Sequence, residues 1–317
     1  MGQRIDDVLA LALLYGFDGK NEARVVSVST SMSNLKSAAF CDAVGRFYAG
    51  SVSGGFGGFM RGLPVGMSES GKMPDDTPMI AVPLSKRDAA GKPVFAHDIH
   101  GMNDTAEVTA LIRNALTAQY DENSIVVLTG PATGLVKVLD LPGAKELIER
   151  KVKFLSVAAG ESDIAAAKKL FSEWPTPIFA VGQETGEAVL FPASSIEKDF
   201  AWSPAHPIVE AYRAYKPMPY DAPTWAMAAV LYAVRPKEGY FKLSEPGTIS
   251  VFDDGRTRFT PSPDGRHRYL IADPAQRERI LKVYTEVASA QPVPRQPRFR
   301  PQKQEQKQKP VETKPPN

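Results

Sequence analysis

Apolar and polar positions along this chain fall into two alternating kinds of segment. Short continuous apolar runs, ARVVSVS (23–29), SIVVLTG (124–130), KFLSVAAG (153–160) and PIFAVG (177–182), read as strands. Stretches of helical periodicity lie among them: NLKSAAFCDAVGRFYA, TGLVKVLDLPGAKELIERK and SDIAAAKKLFSEW. Runs that are apolar throughout suit strands covered on both faces. The pattern therefore predicts an α/β fold, an open and mainly parallel sheet with helices on both faces. Right-handed crossovers would place the carboxyl ends of the strands on one edge, where such folds build their sites.

After residue 201 the layout changes. Helices are expected near 205–215 and 221–234, then a strand TISVFDD (248–254) closing on a DDG turn, with a hairpin partner around HRYLIAD. This is a small β excursion near the C-terminal end. Asp273 and Pro274 open a well-patterned final helix over 273–290. The glycine-dense GSVSGGFGGFMRGLPVG (50–66) lacks the leading strand and following helix that a phosphate loop needs, and reads as a flexible insertion. No internal repeat or strong boundary interrupts residues 1–290, which read as one domain.

Composition narrows the function classes. Of 317 residues 43% are hydrophobic and 23% charged, the balance of an ordinary globular chain. The single cysteine, Cys41, excludes an internal disulfide framework and sits on an apolar helical face as packing. No run approaches the roughly 18 apolar residues of a membrane helix. The net charge of +2 conceals an asymmetry: from Gln291 onward seven Lys/Arg face two Glu, so residues 1–290 carry −3. The Pro/Gln/Lys-rich stretch 291–317 has little to bury and is expected to be a disordered tail. The remainder shows no basic stripe, so nucleic acid is not the expected partner.

Candidate chemistry begins at the second residue. GQRIDD runs straight into VLALALL, placing Asp6 and Asp7 at the head of an apolar helix. Two carboxylates there either cap the helix and complement its dipole or hold a hard cation such as calcium or magnesium. Two later segments bear on the choice: GPATGLVKVL follows the strand at 124–130, and YDAPTWAMAAVLYAV opens a helix after Tyr220. In this order the three segments resemble the inosine/uridine-preferring nucleoside hydrolases. That family carries an Asp-x-Asp-x-Gly turn leading to an Asp-Asp pair, then Gly-Pro-x-Thr-Asn, then His-Asp-Pro at a helix start. The similarity spans most of residues 2–290 and includes the DDGRT turn at 253–257.

The resemblance implies a calcium-dependent N-glycosyl hydrolase acting on a nucleoside or related riboside. It assigns metal ligation to Asp7, the Thr133 carbonyl and Asp221, and contact with metal-bound ribose to Asp6. Calcium's six to eight oxygen ligands can be shared among carboxylates, a carbonyl, water and a sugar diol. A metal-bound water with lowered pKa would attack the anomeric carbon through an oxocarbenium-like transition state. His100, in IHGMND, resembles a family loop near the site mouth, and Trp225 stands one turn past Asp221, where it would line a base pocket or the core. His97, His206 and His267 are expected on loops or at element ends.

The departures are equally specific. The family's two leading aspartates, one of them the general base, would precede Gly2, where only Met1 stands. This reads as a start placed too far downstream, since loss of that strand would leave two interior sheet edges unpaired. An upstream segment could also carry a secretion signal, so the compartment stays open. Tyr220 replaces the family's leaving-group-side His and is a weaker proton donor near neutral pH. Gly134 stands where the family often has Asn. The ribose-holding segment is shortened to Glu161, Ser162 and Asp163. These changes imply altered or reduced activity, or a non-catalytic descendant that binds a sugar or nucleoside or serves as a scaffold. Homo-oligomeric assembly is compatible with either.

Overall fold

The first helix, Ile5–Gly19, is apolar all round and is buried all round, with Val8, Leu9, Ala12, Leu13 and Phe17 fully covered. It packs against helices Leu35–Ala49, Pro207–Tyr215, Trp225–Val234 and Arg277–Ala288, which surround it with the largest apolar cluster of the molecule. Gly16 permits the close approach of helix Arg277–Ala288. A Cβ there would stand 2.0 Å from the Val287 carbonyl oxygen, a backbone atom that cannot step aside alone. The computed structural model describes residues 1–49, 63–69, 76–158 and 163–292.

Ten strands form two sheets among those residues. A three-stranded parallel sheet has the order β1 (Val28–Thr30), β2 (Val65–Met67) and β3 (Ala106–Glu107). The larger sheet contains β4 (Ser124–Leu128), β5 (Val152–Val157), β6 (Ile178–Val181), β7 (Phe241–Leu243), β8 (Gly247–Val251), β9 (Thr257–Pro261) and β10 (His267–Ala272). Its order is β4-β5-β6-β10-β8-β9, with β7 also on β10. The segment β4-β5-β6-β10 is parallel throughout, and β7, β8 and β9 add the antiparallel excursion. The mixed α/β architecture expected from the apolar runs is therefore present. The strands among the described residues fall into two separate sheets, with β1 and β4 each terminal in its own.

Three local expectations need correction. The hairpin partner of β8 is β9, not the HRYLIAD segment: the Asp253-Asp254-Gly255 turn, with Gly255 at φ 86°, returns the chain at once onto β8. β10 instead lies parallel to β6 and touches β8 at a single pair, His267 and Gly247, so His267 begins a strand. The continuous helix expected over 133–151 is two helices, Thr133–Leu139 and Ala144–Lys151. Pro142 cannot donate to the helical ladder and Gly143 takes φ 70°, which together break it. Residues 50–62 of the glycine-rich insertion lie outside the described residues, but Val65 and Gly66 are paired in β2. Most of the expected tail, 293–317, also lies outside them. No helix among the described residues is long and apolar enough to cross a membrane.

His206 sits at an element end as expected but is 1% exposed, ringed by Phe47, Tyr48, Phe200 and Trp202. Its Nδ1 caps helix Pro207–Tyr215 by accepting the Ile208 N–H at 3.2 Å. Burial pushes its pKa down to about 3.

Two outcomes are expected. Because His206 binds its proton more weakly folded than unfolded, stability is full above about pH 6.5 and falls as pH drops toward 3, by several kcal/mol in all. In acid titrations followed by circular dichroism, His206→Asn, which keeps a capping acceptor without the titration, should flatten that slope. Gly16→Ala should cost about 2–3 kcal/mol or more in denaturant unfolding, because helix Arg277–Ala288 must shift to admit the methyl group.

Candidate functional site

Arg4 precedes the first helix in an extended conformation, φ −123° and ψ 138°, and this turns its side chain back across the helix start. Its Nη2 donates to the carbonyl oxygens of Thr129 at 2.9 Å and Ala158 at 3.0 Å. Those residues immediately follow β4 and β5, so the guanidinium ties together the carboxyl ends of two adjacent parallel strands. The same nitrogen lies 3.3 Å from Asp7 Oδ1, and Nε lies 3.4 Å from Asp6 Oδ1. The Trp225 ring centre is 5.7 Å from the guanidinium carbon, within cation–π range.

Asp6 is 1% exposed and Asp7 7%. The Oδ2 of Asp6 accepts the Ala226 N–H at 2.9 Å, meeting the positive end of helix Trp225–Val234. Its Oδ1 has no hydrogen-bond partner. Burial, then the charge of Asp7, push the Asp6 pKa up to about 6, against the pull of Arg4 and the Ala226 N–H. Burial disfavours the charge on Arg4, yet the neighbouring Asp7 and Asp6 hold its pKa above the ordinary value. Asp6 thus caps a helix distant in sequence from its own, and the carboxylate pair lies against the Arg4 guanidinium.

The other predicted residues are placed as follows. Trp225 donates from Nε1 to the Gln183 carbonyl at 3.1 Å. Its ring lies directly on Gly186, where a Cβ would meet it at 1.9 Å. Thr133 begins the helix after β4, and its hydroxyl donates to Asp163 Oδ2 at 2.8 Å; Asp163 Oδ1 in turn caps helix Ile164–Glu173 through the Ala166 N–H. Gly134 is buried, with a Val108 methyl 2.9 Å from where its Cβ would be. The Oδ1 of Asp221 accepts the Ala193 N–H at 2.9 Å. Tyr220 and Tyr212 stack at 4.3 Å, and each hydroxyl donates to the other's carbonyl at 2.6 Å. Burial, then the neighbouring tyrosines, push the Tyr220 pKa well above the ordinary phenol value, so the hydroxyl is a structural donor already in use. His100 lies in an exposed loop whose backbone N–H, with that of Gly101, donates to Asp104. Glu161 lies outside the described residues.

The structure thus joins Asp6, Asp7 and Trp225 around Arg4 at the strand ends. Asp221, Tyr220 and Thr133 are each engaged with partners of their own. Among the described residues, no group of three or more His, Cys, Asp or Glu side chains is arranged to hold a metal ion. The carboxylate pair expected to take part in calcium binding is paired here with a guanidinium, while Asp221 commits its Oδ1 to a backbone N–H. Arg4 is the residue that sequence reading missed. A lone cation ahead of two carboxylates on a helix that must be buried was its signal.

No protein-family model matches the chain, and no curated protein matches it by sequence. Solved structures do. It is similar to the inosine-uridine preferring nucleoside hydrolase from Bacillus anthracis, with TM-score 0.64 and 17% identity over 90% of this chain and 96% of that one. The purine-preferring ribonucleoside hydrolase from Gardnerella vaginalis gives TM-score 0.63 at 15% identity, covering 91% and 96%. The type III effector protein XopQ complexed with adenosine diphosphate ribose gives 0.59 at 13%, covering 91% and 89%. At such identities the likeness speaks for architecture, and over nine-tenths of its length this chain has the fold of the nucleoside hydrolases.

Proposed function

We propose that the chain binds a nucleoside or related riboside at the carboxyl edge of its larger sheet and acts there as an N-glycosyl hydrolase of reduced activity. The observation that carries this reading is the meeting of Asp6, Asp7 and Trp225 at the ends of β4 and β5, within a fold shared with nucleoside hydrolases. Burial and the charge of Asp7 raise the Asp6 pKa toward neutrality, the direction that suits a group transferring a proton there. The XopQ complex supports extending the ligand class from nucleosides to larger ribosides. Reduced turnover follows from two placements. Asp6 is almost wholly covered, and the Tyr220 hydroxyl is committed to the Tyr212 carbonyl.

The Arg4 guanidinium favours a second reading, a binding protein without turnover, because it neutralises the carboxylates that a hydrolase would use. The two readings separate in one experiment: the full chain is incubated with a panel of purine, pyrimidine and non-standard ribosides, with ligand-induced thermal shift measured alongside release of the free base. The hydrolase reading expects slow base release that falls about 10²–10⁴-fold in Asp6→Asn. Thermal shifts with no base release from any riboside would establish the binding reading. Trp225→Ala should weaken riboside affinity by about 5–150-fold on either reading, the worth of one stacked base. An unchanged affinity would remove Trp225 from the pocket.

A further inference from the structure

The oxygens gathered around Arg4 have the chemistry of a hard-cation site: two carboxylate oxygens, from Asp6 and Asp7, and two main-chain carbonyl oxygens, from Thr129 and Ala158. Such a set suits calcium. Its inner member is aimed and unpartnered: Asp6 Oδ1 is buried, lacks a hydrogen bond and faces only Arg4 Nε. We infer that Arg4 is a tethered cation occupying a divalent-cation site, so that this chain supplies from its own sequence the positive charge that these four oxygens would otherwise draw from a bound metal ion.

Three features support the assignment. The guanidinium meets all four oxygens at 2.9–3.4 Å, and its planar fork can serve several acceptors at once where an ammonium acts as a point charge. It stands two and three residues from the carboxylates it pairs with, so its local concentration far exceeds that of free calcium. The Trp225 ring lies 5.7 Å from it, within cation–π range, and adds a further contact to the guanidinium. A calcium ion entering the same oxygens would have to displace the guanidinium or lie against it. The inference does not depend on whether the chain turns over a riboside.

The test compares wild type, Arg4→Ala, Arg4→Lys and the double variant Arg4→Ala/Asp7→Asn, as full chains, for response to calcium chloride and to terbium. Wild type should show no change in Tm with millimolar calcium or with EDTA, and no terbium emission sensitised by tryptophan. Arg4→Ala should lose about 5–15 °C in Tm without calcium, because a buried pair has lost its counterion. Millimolar calcium should restore at least half of that loss, with terbium emission appearing through the nearby Trp225. The double variant should ignore both ions. If Arg4→Ala does not fold, wild type and Arg4→Lys decide the matter: Arg4→Lys, which keeps the charge, should remain indifferent to calcium. A wild-type Tm that rises by several degrees with calcium overturns the inference. So does an Arg4→Ala variant that keeps its Tm, or one that loses it and ignores calcium.

Discussion

Two adjacent carboxylates in the first turn of a buried helix would be costly unless an opposite charge and directed donors meet them. Here both are supplied, the charge by Arg4 and the donor by the first turn of helix Trp225–Val234. The arrangement joins four parts of the chain that are distant in sequence. The first helix is held to the ends of β4 and β5 through the guanidinium, and to the helix at 225 through Asp6. The central helix of the largest apolar cluster is thus registered against the larger sheet by polar contacts at one end. Apolar packing, which is not directional, does the rest along its length.

Much of the fold was legible because apolar runs bounded by turn residues leave few alternatives. SIVVLTG, KFLSVAAG and PIFAVG became β4, β5 and β6 in parallel order. What periodicity could not convey was partner choice. The residues of β9 are polar or half-covered, so TRFTP carried no apolar run to announce a strand, while HRYLIAD resembled the partner that β8 lacked. The break at Pro142-Gly143 was visible in the sequence, yet the apolar spacing on either side continued through it.

The site divides in the same way. Asp6, Asp7 and Trp225 were legible, because motifs place residue types at positions that the fold then brings to one edge. The partners of Asp221, Tyr220 and Thr133 were not. Each meets a group outside its own motif: the Ala193 N–H, the Tyr212 carbonyl and the Asp163 carboxylate. A motif tells what a side chain can do chemically, and packing decides whether its lone pairs and protons are free to do it. The stacked Tyr212–Tyr220 pair illustrates this, since a phenol that resembles a proton donor in sequence is locked into a reciprocal backbone clasp.

The seat of Trp225 on Gly186 has an evolutionary corollary. A methyl group at position 186 would overlap the indole outright, so the two positions are not independent variables. Any lineage that enlarges residue 186 must rotate or shrink residue 225, and in doing so disturbs its contact with the Arg4 guanidinium. One hydrogen atom's worth of room in a short helix therefore decides whether the indole can stay beside the charge cluster. Diversification of this pocket would proceed by paired substitution at 186 and 225, with the carboxylates left untouched.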